Sequence, residues 1–315
     1  MNIKDFIKKK LQKKKFVFSK IEFLTGDASN RKYFTLKKNN YENLLIMFDD
    51  NKKSFNSFIK ISNLLKDKVS VPQIYDIFDN SNFLILENFG NLKYSQLLNK
   101  NNSKKLYTIA IEAIINLQIS KFKTNLPSYK KIDFINESKL FFEWYLPLNL
   151  KKKDPVIINE FELLMNSLLD KALSVPEVFV HKDYHIDNLF FLEKRKKHFK
   201  CGWIDYQDAV LGPCVYDVVS LTQDARIDVS ENLESFIVEY YLNKFKKLSQ
   251  KKFFYSYYLI AIQRHLKVLG IFARLSKRDK KPSYLKHIPR VKKLLKKNLD
   301  IVEFYDLNRL LKSLV

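Results

Sequence analysis

A chain of 315 residues with 46% hydrophobic and 29% charged residues is long enough to bury a full core as one large domain or two lobes. No apolar run approaches the ~18 residues of a membrane span, and the basic stretch from Met1 to Lys15 lacks the apolar core of a secretion signal. The two cysteines, Cys201 and Cys214, fit a reducing compartment and lack metal-ligand spacing, so the expectation is a soluble cytoplasmic protein with no membrane partner.

The formal net charge is +23, from 57 Lys and Arg against 34 Asp and Glu. Such a balance can mark an acidic partner. Here the lysine runs 8–10, 13–15, 151–153 and 292–293 are scattered along the whole chain, Asn, Ile and Phe are abundant, and only five glycines occur. That pattern reads as the lysine-coated surface of a compositionally biased proteome, and nucleic acid is not the expected partner.

In chain order, residues 16–23, 32–37 and 43–48 have strand composition and length. Gly26 falls in the turn joining the first two, within Gly26-Asp27-Ala28-Ser29-Asn30-Arg31-Lys32-Tyr33-Phe34. Small residues there let backbone N–H groups, with Ser29 and Asn30, approach phosphates, and Arg31 or Lys32 adds positive charge. One glycine is equally compatible with an ordinary hairpin turn, and the absence of any Gly-x-x-x-x-Gly-Lys-Ser/Thr run excludes a P-loop. Residues 54–66 form a predicted amphipathic helix, with Phe55, Phe58, Ile59, Ile61 and Leu65 at helical spacing and Ser54 as N-cap. Strands at 74–78 and 83–86 follow. The second runs into Glu87-Asn88-Phe89-Gly90, a place where backbone groups can meet an adenine edge, or a plain strand end.

Beyond Gly90 the pattern turns helical, at 103–119, 133–146, 154–173, 231–245 and 253–275. Strands followed by helices make the expected class α+β, with a boundary near Gly90-Asn91 that divides the chain into 1–90 and 91–315. Gly270 lies inside the last helix, which calls for close packing, a ligand's approach or simple tolerance.

A strand-rich patch near 178–204 interrupts the helices and carries the chemistry. His181-Lys182-Asp183-Tyr184-His185-Ile186-Asp187-Asn188 sets an acid and an amide five positions apart, and Asp205 ends the next apolar run. Phosphoryl transfer needs such a set: one carboxylate to take the proton of the attacking hydroxyl, an amide and a second carboxylate to hold magnesium. His181 reads as a buried brace of the loop, His185 as a substrate contact or a second brace. Asp217, after Gly212-Pro213, starts a helix and either complements its dipole or accepts N–H bonds from the catalytic loop. Arg264, Lys267 and Arg274 fall within a sector of about 80° on one helix, a solvated stripe or a subsite for an anion.

Together these segments resemble the aminoglycoside phosphotransferase and choline kinase superfamily. The Gly-Asp-Ala-Ser start, Asp183-Tyr184-His185-x-x-Asn188, Asp205-Tyr206-Gln207-Asp208-Ala209, Tyr216-Asp217 and the run from Arg264 to Leu275 are similar to one branch, the bacterial N-acetylmuramate/N-acetylglucosamine anomeric kinases of cell-wall recycling. The resemblance implies a two-lobed protein-kinase-like fold, with a small antiparallel-sheet N-lobe clamping ATP and a larger, mainly helical C-lobe. It implies Asp183 as base, Asn188 and Asp205 as Mg2+ ligands, and Ser29, Asn30, Arg31, Glu87, Asn88 and Phe89 against the nucleotide. Asp208, with His185 and the cationic helix, would face the amino sugar. Two positions depart from the wider pattern. Met47 stands where a phosphate-binding lysine is expected, which shifts that charge toward Arg31 or Lys32, and Lys182 replaces the usual Gly or Arg. Kinases of choline, homoserine or aminoglycosides are the competing activities, and a catalytically silent basic binding protein is the competing class.

Overall fold

A computed structural model of the chain describes every residue except Met1, 25–30, 40–41, 121–123, 150–153 and Lys247. The first elements are α1 (Ile3–Lys13), β1 (Lys20–Phe23), β2 (Lys32–Asn39), β3 (Glu42–Phe48), α2 (Lys52–Leu65), β4 (Ile74–Phe78), β5 (Phe83–Glu87) and α3 (Tyr94–Leu97). Then come α4 (Ser103–Ile119), α5 (Lys131–Ser138), a π-helical turn Phe141–Tyr145, α6 (Leu146–Leu148), α7 (Pro155–Ala172), β6 (Glu177–Val180), β7 (Leu189–Phe191), β8 (Cys201–Trp203) and β9 (Val210–Pro213). The chain ends with α8 (Tyr216–Thr222), α9 (Glu231–Lys244), α10 (Gln250–Lys277), α11 (Ile288–Leu299) and α12 (Tyr305–Leu311). Among the described residues no helix is long and apolar enough to cross a membrane.

Contacts divide the chain into a sheet unit, Met1–Leu98 with Asp187–Asp208, and a helical unit, Asn99–Ile186 with Ala209–Val315. The α+β class with an antiparallel sheet and a mainly helical remainder is therefore what the chain adopts. The sheet unit runs eight residues past the expected boundary after Gly90 and takes back a second piece of chain. The reason is strand pairing: the β7–β8 hairpin is bridged by Lys93↔Phe190 and Ser70↔Gly202. Gly202 is needed there, because a Cβ would lie 2.8 Å from the Phe89 ring.

The sheet has the order β1-β2-β3-β5-β4 with antiparallel neighbours. Period-two alternation puts Phe34 and Leu36, Leu44 and Ile46, and Phe83 and Ile85 into one core cluster, which Ile7 and Leu11 of α1 join. Helix α1 was not anticipated, since its many lysines mask an i, i+4 pair of apolar residues. Helix α2 begins earlier than expected: Asn51 caps it by accepting from the Ser54 N–H at 3.1 Å, so Ser54 is not the cap.

In the helical unit, α10 is buried along most of its 28 residues and packs against α5, α7, α11 and the π-helical turn. The single helix expected over 133–146 breaks after Ser138. The Phe134 carbonyl there accepts from Ser138 Oγ at 2.8 Å and from Gln263 Nε2 of α10 at 3.1 Å. Gly270 faces the turn that follows: a Cβ would sit 2.3 Å from the Leu140 carbonyl carbon, so its role is close packing. Strand β9 pairs with β6 on one side, Val180 opposite Val210, and accepts the Tyr129 N–H at Leu211 O (2.6 Å) on the other. This narrow ribbon brings Tyr129 and the residues after β6 to a common end.

Candidate active site

In the sheet unit, β2 and β3 pair with Lys32 opposite Phe48, which carries Arg31 to the level of Asp49. The Arg31 guanidinium is only 6% exposed. Its Nε donates to Asp49 Oδ2 (3.2 Å), Nη1 to Asp205 Oδ1 (2.9 Å) and Nη2 to Ser54 Oγ (3.3 Å). Burial alone would lower its pKa, but Tyr33 and Asp205 outweigh that and raise it. Arg31 is thus given to carboxylates within the fold, not held out toward solvent as a phosphate ligand, while Lys32 is exposed. Met47 is fully buried between Tyr33 and Leu84 on its neighbouring strands.

Asp205 has φ +64°, a left-handed conformation uncommon outside glycine. The turn that holds it is anchored to α2. Ser57 Oγ donates to Gln207 O at 2.6 Å, Tyr206 OH lies 2.7 Å from Ser62 Oγ, and the Tyr206 ring stacks on Phe58 at 5.1 Å. Gln207 Nε2 bridges Asp205 Oδ1 (3.1 Å) and Asp208 Oδ2 (2.9 Å), and Asp208 is exposed. The β7–β8 hairpin brings Asn188 to the same place: Leu189 pairs with Trp203, and the Ile204 N–H donates to Asn188 O at 3.1 Å. A carboxylate and an amide at one hairpin end are hard oxygen donors of the kind magnesium takes.

Glu87, Asn88 and Phe89 are committed through their side chains. Glu87 bonds Arg195 Nη2 at 2.6 Å and the Gln73 N–H at 3.2 Å, and Asn88 Oδ1 accepts from the Gly90 N–H at 2.9 Å. Phe89 packs against Gly202, Phe190 and the Arg195 guanidinium. What this segment has to offer a ligand is its backbone. A recess of about 740 Å³ edged by Lys66, Lys194, Arg195 and Lys196 contains neither Asn188 nor Asp205. Ser29 and Asn30 lie outside the described residues.

In the helical unit, the catalytic-loop candidates hang on Asp217, the second residue of α8. Its Oδ2 accepts the His181 N–H (2.6 Å) and its Oδ1 the Lys182 N–H (3.2 Å). Burial pushes this carboxyl up to about 7, against the pull of those N–H groups and of Arg264. His181, fully buried, accepts the Asp183 N–H at Nδ1 (3.3 Å), and the His185 N–H donates to Asp183 O (3.0 Å). His185 itself is buried. The loop is thereby fixed through its backbone, with Lys182 held at φ +74°.

Arg264 donates to Lys182 O at 3.1 Å and lies over the Tyr216 ring at 4.7 Å. Burial pulls its pKa down, but Tyr216 and Asp183 outweigh that and raise it. Lys267 pairs with Glu137 Oε2 at 2.9 Å, and Lys182 with Glu137 Oε1 at 3.0 Å. Burial pushes the Glu137 carboxyl up, yet Lys267, Lys182 and the Tyr129 hydroxyl overcome it and hold the pKa at about 2. The cationic stripe is therefore divided. Arg264 braces the loop and Lys267 is neutralised by a carboxylate. Arg274, ten residues beyond Arg264, is displaced from it by about 15 Å along the helix.

Four residues that do much of this holding escaped sequence reasoning: Asp49, Tyr129, Glu137 and Gln207. Asp49 follows a predicted strand, Glu137 lies in a predicted helix and Tyr129 in no predicted element, and only the fold reveals their partners. Gln207 stood inside a recognised motif but carried no signal of a bridging role.

Three comparisons bear on this arrangement. The profile of the phosphotransferase enzyme family matches residues 20–249. Over 274 residues the chain is 32% identical to the N-acetylmuramate/N-acetylglucosamine kinase of Pseudomonas aeruginosa, covering 84% of this chain and 80% of that protein. It is 30% identical over 282 residues to the protein of the same name from Neisseria meningitidis, covering 86% and 83%. Among solved structures, the choline kinase LicA from Streptococcus pneumoniae superposes with a TM-score of 0.65 at 15% identity, over 94% of this chain and 99% of that one. The GDP complex of wild-type aminoglycoside 2'-phosphotransferase-IIIa gives 0.65 at 16%, over 95% and 98%. The fold is thus the protein-kinase-like one of those enzymes.

Proposed function

We propose that this chain, which belongs to the phosphotransferase enzyme family and is a small-molecule kinase, phosphorylates the anomeric hydroxyl of N-acetylmuramate, N-acetylglucosamine or both. ATP is the donor, and the product is the sugar 1-phosphate, an intermediate of peptidoglycan recycling. The relatives that carry both sugars in their names, aligned over more than four-fifths of the chain, support the acceptor. The observation that carries the chemistry is the hairpin that sets Asn188 beside the strand leading to Asp205, five residues after Asp183. A reaction that consumes ATP in this way belongs in the cytoplasm.

In this reading Asp183 takes the proton of the anomeric hydroxyl as its oxygen bonds to the γ-phosphorus and the bond to the β–γ bridging oxygen breaks, releasing ADP. The anomeric hydroxyl is more acidic than an ordinary alcohol, so Asp183 chiefly orients it. Asn188 and Asp205 would hold Mg2+, which supplies charge neutralisation to the phosphates when bound. Arg31 holds the Asp205 carboxylate in place, and Asp217 with His181 fixes the backbone that presents Asp183.

ATP turnover measured against the two amino sugars, choline, homoserine and aminoglycosides should be selective for the sugars. Product analysis should place the phosphate on O1. Asp183→Asn should lower kcat by roughly 10²–10⁴-fold and leave nucleotide affinity in place. Turnover of choline or an aminoglycoside with neither sugar accepted would overturn the acceptor, and an active Asp183→Asn variant would overturn the base.

A further inference from the structure

At Lys182, the residue before Asp183, the helical unit has a recess of about 320 Å³, at the lower end of the ~300–1,000 Å³ typical of small-molecule sites. Its polar wall is one face of α5: Asp133, Asn136 and Glu137 are spaced i, i+3 and i+4, so their side chains stand together. Lys182 and Tyr129, both bonded to Glu137, complete the polar lining, and Pro127, Ser128 and Val210 close it. Lys182 precedes Asp183 by one peptide, about 3.8 Å between Cα atoms, which sets this space next to the loop that carries Asp183.

The charges are already arranged without a ligand. Glu137 is clamped by Lys182 at 3.0 Å and Lys267 at 2.9 Å, and accepts the Tyr129 hydroxyl. The Lys182 ammonium also lies over the Tyr129 ring at 4.6 Å. A structural ion pair has no need of a recess at its side, and a polar helix face on the surface has no need of two lysines turned back onto one carboxylate. A carboxylate kept ionised by two ammoniums is a fixed acceptor for sugar hydroxyls. An ammonium with three N–H donors, one of them given to Glu137, remains a donor toward hydroxyl, carbonyl or carboxylate oxygen. Glu137 and Asp133 together balance Lys182 and Lys267, so the recess does not demand an anionic ligand and does not repel one.

We infer that this recess is the acceptor subsite, where Glu137 and Asn136 hold the hydroxyl and amide groups of the sugar ring and Lys182 takes a carboxylate when the sugar carries one. The inference rests on the amino-sugar reading above and assigns to it residues outside the motifs. It also changes the expected source of acid recognition, from the helical stripe to the residue next to the base.

Steady-state kinetics on the full chain test it, with N-acetylglucosamine, N-acetylmuramate and ATP each varied in turn. Glu137→Gln and Asn136→Ala should raise KM for both sugars, by 10-fold or more for the first and about 3-fold for the second, with KM for ATP unchanged. Lys182→Met should raise KM for N-acetylmuramate at least 10-fold more than for N-acetylglucosamine. Asn136 is exposed, and its truncation keeps the test open if Glu137→Gln fails to fold, which thermal melts would reveal. Variants that lower kcat with both sugar KM values unchanged would reduce these residues to loop braces and overturn the subsite. A wild-type chain that phosphorylates neither sugar would overturn the function proposed above. A wild type active on them with indifferent variants would overturn this assignment alone.

Discussion

Arg31 touches Asp49 and Asp205 at once, from a position that solvent barely reaches. Two carboxylates of like charge near one another would repel, and a buried cation between them is costly unless its hydrogen-bond geometry is good. Its three donor contacts supply that geometry. Arg31→Met should cost about 3–5 kcal/mol in urea unfolding, because it strands Asp49 inside the fold. Adding Asp49→Leu should return part of that loss. If Arg31 also aims Asp205, the double variant will still need more magnesium for half-maximal activity than the wild type does. A double variant with the wild-type magnesium requirement would confine Arg31 to a structural role. At this scale the sequence showed the conspicuous residues and hid their supports. Asp183, Asn188 and Asp205 stand out because their spacing is tied to a strand pattern. Glu137 and Asp49 look like ordinary acids, since nothing local says that a lysine 45 residues away or an arginine 18 residues away will face them.

Helix α10 packs against most elements of the helical unit, and at Gly270 it lies close against the Leu140 backbone. Helix propensity alone favours Ala over Gly by up to ~1 kcal/mol. The backbone of Leu140 stands where the new methyl would go, and a backbone carbonyl cannot swing aside as a side chain does. Overpacking of this kind costs typically ~1–3 kcal/mol, so Gly270→Ala should lower the unfolding free energy despite its better propensity. A Gly270→Ala variant as stable as the wild type would mean that the π-helical turn can yield. Strands of the sheet unit were legible from their composition and length, and the long helices from a 3.6-residue period sustained over many turns. The break after Ser138 was not, because the bond that competes for the Phe134 carbonyl comes from Gln263, 129 residues away. Helices α1 and α11 carry so many lysines that their narrow apolar stripes disappear in the average.

At the scale of the whole molecule, a net charge of +23 grows further on acidification as carboxylates protonate, which adds self-repulsion to every specific loss. One specific loss can be separated from that background. His265 is buried in α10 with Nε2 at 2.9 Å from Gln223 Oε1, inside a network that includes Asn298, Glu234 and Tyr257. Burial, reinforced by Arg264, lowers its pKa from 6.5 to about 3. The unfolded chain therefore takes up a proton at this histidine below pH 6.5, and the folded chain does not until about pH 3. Its share of stability is complete above 6.5 and is lost as pH falls toward 3. Between pH 7 and 5 the loss amounts to about 2 kcal/mol. His265→Gln has no such titration and can still donate toward Gln223. The unfolding free energy of the wild type, measured against that of the variant, should fall by about 2 kcal/mol between pH 7 and 5. Surface repulsion is common to both proteins and cancels in the difference. A difference that does not change with pH would mean that His265 is protonated inside the fold, with Glu234, the carboxylate bonded to the same Gln223, as its counter-ion.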